Sequence, residues 1–159
     1  MREPASEEDV LRLRALLSYQ YGPETGQVLD GRRVEVERST ATGRIRKVYV
    51  DGVFFGSIRA SDGFILPSVE GGRLLLKVLP RGRYAVVVSR EAAPFVAKGR
   101  TVFCKHVIDA DPGIKAGDEV FVVDEDGRLL AVGRAVVSGI EMKKLRKGEC
   151  VKNRKSISG

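Results

Sequence analysis

Two Asp-Gly pairs, Asp51-Gly52 and Asp126-Gly127, each stand between runs of strand-forming residues, and they constrain the fold more than any other feature of the chain. Residues 45–50 alternate apolar and polar before Asp51-Gly52, and Val53-Phe54-Phe55 follows it. Residues 119–123 and 128–137 flank the second pair. Asp and Gly tolerate the positive φ that a tight turn requires, so each pair predicts a β-hairpin. One hairpin falls in each half of the chain.

Helical signals surround both hairpins. Ser6 followed by Glu7-Glu8-Asp9 is an N-cap with an acidic first turn, and Val10, Leu13, Leu16 and Leu17 recur at helical spacing, which predicts a helix to about Tyr19. Residues 34–37 alternate as a strand, Pro67 is expected to end any regular element, and Leu74, Leu75, Val78 and Leu79 share one face of a helix over 69–79. These elements make a small α+β domain that closes near Pro80.

The remainder is denser in strand signals: 84–88, 101–107, 119–123, 128–137 and 149–152. Short helices are predicted over 91–98, stopped by Gly99, and over 138–147, capped by Ser138 and followed by Gly148. Five short strands and two short helices imply a compact mixed β-barrel. The fold class is therefore α+β, with domains at 1–80 and 81–155 and a flexible tail at 156–159.

Charge separates the halves. Residues 1–80 hold 12 Lys/Arg against 11 Asp/Glu, whereas residues 81–159 hold 16 against 10. A local excess of this kind concentrates a polyanion and gives salt-sensitive affinity, so nucleic acid is the first partner to consider, beside the plainer reading of a solvated surface. No apolar run is long enough for a signal region or a membrane span, which points to a cytoplasmic protein with no membrane partner.

Catalytic parts are scarce. The chain has one histidine and none of the GxxxxGK[ST], GxGxxG, HExxH or GxSxG motifs. Asp109 and Asp111 flank a turn ending in Pro112-Gly113, and Asp124-Glu125-Asp126 leads into Gly127, so both acidic clusters read as turn chemistry. Cys104 and Cys150 lack metal-ligand spacing and read as two reduced core thiols, with a bridge left open for a hyperthermophilic source. No cofactor and no metal are expected.

Two basic groups remain. Lys98-Gly99-Arg100 lies at a helix end and Lys105-His106 on the following strand; across that turn they can share one edge, where Lys and Arg hold phosphates and His stacks or hydrogen-bonds. A second group, including Lys143, Lys144, Lys147, Lys152, Arg154 and Lys155, occupies the last helix, strand and tail; its helical members serve equally as a solvated face.

The run from Thr101 to Pro112, with Ile114-Lys115-Ala116-Gly117-Asp118-Glu119-Val120, Leu130-Ala131-Val132-Gly133-Arg134-Ala135 and Lys147-Gly148-Glu149-Cys150-Val151-Lys152, closely resembles the PUA domain. Upstream, residues 43–52, Ser61-Asp62-Gly63 and Lys77-Val78-Leu79-Pro80 resemble the small domain preceding PUA in archaeal tRNA-guanine transglycosylases of the archaeosine pathway. The resemblance implies RNA binding, with tRNA held by its acceptor stem and 3′ end. It does not extend to the large catalytic barrel, whose aspartate nucleophile and zinc ligands have no counterpart in this chain.

The expectation is a non-catalytic RNA-binding protein that takes tRNA or another structured RNA through Lys98, Gly99, Arg100, Lys105, His106, Lys152 and Arg154. The alternative is an accessory tRNA-binding subunit of a separately encoded catalytic partner. An independent small enzyme and a purely structural interaction protein are the readings from other classes.

Overall fold

A computed structural model describes residues 1–159, which form two compact units, Met1–Leu79 and Pro80–Gly159.

In unit 1 the strands β1 (Arg2–Pro4), β2 (Val34–Arg38), β3 (Ile45–Val50), β4 (Val53–Ile58) and β5 (Ile65–Pro67) form an antiparallel sheet in chain order. Helix α1 (Glu7–Tyr21) opens with a capping box: the Ser6 hydroxyl accepts the Asp9 N–H at 3.1 Å, and the Asp9 carboxylate accepts the Ser6 N–H at 2.9 Å. It runs two residues past Tyr19, to Tyr21, and is capped by Gly22. Leu13, Leu17 and Tyr21 bury one face of α1 in a core shared with Val36, Val48, Phe55, Ile65 and Leu75 of α2 (Val69–Val78). The buried Gln20 amide fixes α1 to β5, donating to the Ile65 carbonyl and accepting the Ile65 N–H, both at 2.8 Å.

The Asp51-Gly52 turn has φ of +50° and +82°, the paired positive values of a two-residue type I′ hairpin. Pro67 ends β5 as its last residue, on an edge strand where a missing N–H is tolerated. Strand β1 carries no sequence signal, since three exposed residues offer no alternation to read.

Unit 2 comprises β6 (Ala85–Val88), α3 (Ala93–Ala97), β7 (Val102–Phe103), β8 (Val107–Ala110), β9 (Glu119–Val123), β10 (Leu129–Ala135), α4 (Gly139–Lys144) and β11 (Glu149–Ser156). Its sheet order is β7-β11-β10-β9-β6-β8, antiparallel throughout except for the parallel pair β6 and β9. The strand expected over 101–107 is broken: a 3₁₀ turn at Cys104–His106 divides it, and its two parts pair at opposite edges of the sheet. Since a three-residue turn joins the two edges, the sheet must curl until they meet, giving a mixed, nearly closed barrel. Val86, Val88, Val102, Ile114, Val120, Val122, Met142 and Val151 fill it.

The two cysteines correct the sequence reading. Cys104 and Cys150 form a disulfide with a Cα–Cα distance of 5.0 Å, and no free thiol remains. Forty-six residues separate them in sequence, but Cys104 directly follows β7 and Cys150 lies in β11, β7's neighbour in the sheet, where Val102 pairs with Val151. That strand pairing sets a separation a bridge can span.

Within the acidic clusters, Asp111 and Asp124 are the turn formers. Asp124 Oδ1 accepts the N–H groups of Asp126 and Arg128, each at 2.9 Å, in a hairpin whose positive φ falls on Gly127 alone. Asp111 accepts the N–H of Gly113 at 2.9 Å and that of Tyr84 at 2.8 Å. Asp109 pairs with Lys143 at 3.2 Å. Residues 156–159, expected as a flexible tail, carry backbone hydrogen bonds from Ile157 to Leu130 and from Ser158 to Ala97.

Candidate nucleic-acid interface

The edge containing Lys98, Gly99 and Arg100 is shaped by how α3 ends. The N–H of Gly99 donates to the Val96 carbonyl at 2.9 Å and that of Arg100 to the Phe95 carbonyl at 3.1 Å, the bond pair of a Schellman motif. Gly99 takes φ of +101°, a conformation that side chains rarely adopt. The cap turns the chain out of α3 with Lys98, Gly99 and Arg100 all exposed.

Strand β11 holds the far side of this turn. Asn153 Nδ2 donates to the Arg100 carbonyl at 2.6 Å, fixing the α3 exit to the middle of the strand. Asn153 Oδ1 and Arg154 Nε are buried without a hydrogen-bond partner. Lys152, one residue before Asn153, is exposed and stands opposite exposed Arg134 on β10, so the two cations form a cross-strand pair on one face. Gly133 permits this approach, because a Cβ there would sit 2.4 Å from the Lys152 carbonyl oxygen.

Lys105 and His106 lie on the 3₁₀ turn after β7. The disulfide and a 2.9 Å bond from the Cys104 N–H to the Gly148 carbonyl hold that turn to β11. Lys105 is exposed, His106 is half-buried, and the His106 carbonyl accepts the Ser89 N–H at 2.9 Å.

The structure thus joins Lys98, Gly99 and Arg100 to Lys152 through Asn153, and ties the turn of Lys105 and His106 to the same strand. Arg154 differs: its guanidinium donates at 2.7 Å to Glu119, a carboxylate only 3% exposed, and so balances a buried charge. Two residues outside the expected set belong to this edge, Arg134 and Asn153. Arg134 is the single exposed position in the otherwise buried strand LLAVGRA, a signal visible in sequence; Asn153 had none.

Lys98, Arg100, Lys105, Arg134 and Lys152 make no ion pair, so their charge is available to an anion. Displaced carboxylates lie instead in the turns. Burial pushes Asp124 up, but the N–H groups of Arg128 and Asp126 outweigh it and hold this carboxyl below its usual range. Burial raises the Tyr84 hydroxyl.

The sequence profile of the PUA domain matches residues 84–157, the unit that carries this edge. The chain is a PUA-domain protein. Residues 11–81 match a second profile, the patch-forming domain C2 of tRNA-guanine transglycosylase, so both units of the PUA-domain protein are accounted for. The tRNA-guanine(15) transglycosylase of Pyrococcus abyssi is 43% identical over 159 residues, all of this chain and 27% of that enzyme. The enzyme of the same name from Methanocaldococcus jannaschii is 41% identical over 150 residues, 92% of this chain and 22% of the enzyme. The chain therefore spans about a quarter of the length of the curated relatives it matches, in their C-terminal region. Among solved structures, a Pyrococcus horikoshii protein is 32% identical with a TM-score of 0.77, covering 100% of this chain and 96% of that one. A PUA domain protein from Thermoplasma acidophilum, 20% identical, shares the fold with a TM-score of 0.68 over 100% of this chain and 95% of its own. No helix of the PUA-domain protein is long and apolar enough to cross a membrane.

Proposed function

We propose that the protein is a non-catalytic RNA-binding protein that holds tRNA, or another structured RNA, in connection with RNA modification. One observation carries the reading. Lys98, Arg100, Lys105, Lys152 and Arg134, none of them paired, stand on elements fixed by a Schellman cap, a side-chain bond from Asn153 and a disulfide. Cations preorganised in this way hold phosphates without first leaving an internal partner, and backbone and shape contacts dominate the recognition of structured RNA. Gly99 lets an RNA backbone approach the α3 exit closely, and His106 lies beside Lys105 to stack or hydrogen-bond. Arg154 contributes by holding β11 through Glu119.

A second reading is favoured by the match of residues 11–81 to the patch-forming domain C2 of tRNA-guanine transglycosylase beside the PUA domain: the protein supplies tRNA grip to a catalytic partner. Both readings place it in the cytoplasm. The buried disulfide fits that location in a hyperthermophile, whose intracellular proteins retain such bridges.

Replacing Lys98, Arg100 and Lys105 singly by Gln tests the proposal. Each variant keeps the parent's thermal midpoint, because exposed cations away from special features add little stability. Each lowers the slope of log affinity against log salt for tRNA by about one for every phosphate that its cation holds in the parent. Parent-like binding by all three variants excludes this edge.

A further inference from the structure

Unit 1 contains two hairpin tips of one design. In residues 39–44 the Ser39 N–H donates to the Arg44 carbonyl at 2.8 Å and the Gly43 N–H to the Ser39 carbonyl at 2.8 Å. In residues 59–64 the Arg59 N–H donates to Phe64 at 2.9 Å and the Gly63 N–H to Arg59 at 2.8 Å. The fourth residue of each tip closes it alike: Thr42 Oγ1 accepts the Arg44 N–H at 3.2 Å, and Asp62 Oδ1 accepts the Phe64 N–H at 3.0 Å. The tips share one end of the sheet, because β3 and β4 are adjacent, and they flank a groove of about 440 Å³ lined by Thr42, Arg44, Ile45, Arg46, Ile58 and Ser61.

Two cations of this groove, Arg44 and Arg46, make no ion pair. Of the 12 Lys/Arg in residues 1–80, Arg12, Arg14, Arg32, Arg33, Arg38, Arg59 and Arg73 are ion-paired, and Arg2 stacks on the Tyr49 ring at 3.7 Å. Of the unpaired remainder, Arg44, Arg46 and Lys47 lie together at the start of β3, all exposed, and only Lys77 stands apart on α2. The Arg59–Asp62 pair cancels internally, so Arg44 and Arg46 set the sign of the groove. The groove also continues, over Thr42, Arg44, Ile45 and Ile58, into a second cleft that reaches Arg12 and Arg38. Arg12 and Arg38 are neutralised there by Glu8, Glu3 and Asp9, so the net positive charge is that of Arg44 and Arg46; two adjacent guanidinium groups in an elongated groove with hydroxyls along it suit successive phosphodiesters better than a single compact anion.

We propose that this groove is a second RNA site, holding backbone phosphates through Arg44 and Arg46; the inference rests on the reading that the protein binds RNA. The test measures tRNA affinity of the full chain across a salt series for five proteins: the parent, Arg44→Gln/Arg46→Gln, Arg44→Lys/Arg46→Lys, Lys98→Gln/Arg100→Gln, and Lys77→Gln as a charge loss elsewhere on unit 1. The groove double variant is expected to keep its thermal midpoint and show a salt slope smaller by about two, while Lys77→Gln stays at the parent's value. Arg44→Lys/Arg46→Lys, which keeps both charges, is expected to retain most of the slope, and this separates the removal of charge from a failure to fold. If the parent binds and the groove double variant matches it, the second site is overturned while the unit 2 reading stands. A parent that binds no tRNA overturns both.

Discussion

Reduction of the Cys104–Cys150 bridge is expected to remove a large share of unit 2's stability while leaving its fold recognisable. The bridge joins residues 46 apart, both within unit 2. For a loop of that length the chain-entropy relation gives about 4 kcal/mol at 25 °C. Native-state strain is a minor offset, because the strand pairing of β7 with β11 brings the two cysteines together independently of the bond. For a unit of this size, about 4 kcal/mol corresponds to roughly 15–30 °C in midpoint. Cys104 and Cys150 are 2% and 0% exposed, so reductant acts only when the chain is open, and the reduced sample must be prepared by refolding in its presence. Calorimetry of oxidised and reduced protein, with thiol counting by mass, measures the difference. A fall below about 1 kcal/mol would refute the argument that the bridge constrains the open chain.

Gly133→Ala is expected to cost about 1–3 kcal/mol and to weaken RNA binding, since its Cβ would press on the Lys152 carbonyl at 2.4 Å and displace β11; denaturant midpoints and a tRNA isotherm check this. Gly99→Ala should cost about 1 kcal/mol for its positive φ, and Gly99→Leu should lose tRNA affinity beyond what its stability loss explains, measured at a temperature where both are folded. The Asp124 carboxyl titrates lower in the folded chain than in the unfolded one, so its contribution is fully present above the unfolded value near 4 and is lost as pH falls through the folded value; Asp124→Asn should flatten that part of the acid-stability curve. Purified protein alone is expected not to exchange guanine or a precursor base into tRNA, and labelled-base incorporation by the isolated chain would show otherwise.

Both hairpins, all four helices and the barrel class were legible in the sequence because each rests on a local signal: Ser6 and Ser138 as caps, Asp51-Gly52 and Asp126-Gly127 as turns, and glycine after α3. What was not legible depends on partners distant in the chain. Cys104 and Cys150 become neighbours only through the β7–β11 pairing. The strand over 101–107 divides because barrel closure requires a corner there, and nothing in Val102-Phe103-Cys104-Lys105-His106 marks it. The edge residues divide on the same principle. Exposure of Lys98, Arg100 and Lys152 followed from local pattern, whereas the engagement of Arg154 with Glu119 and the Asn153 bond to Arg100 join positions 35 and 53 residues apart.

RNA binding by the protein is proposed to rest on the unpaired cations of the unit 2 edge. The most direct measurement is a tRNA binding isotherm for the full chain, repeated from low to high salt, for the parent and for a variant with Lys98, Arg100, Lys105, Arg134 and Lys152 all changed to Gln. The parent's affinity is expected to fall steeply with salt, and the variant, folded at the parent's midpoint, to have a much shallower slope, reduced by roughly one for each phosphate it no longer binds. A variant with the parent's affinity and slope would contradict it.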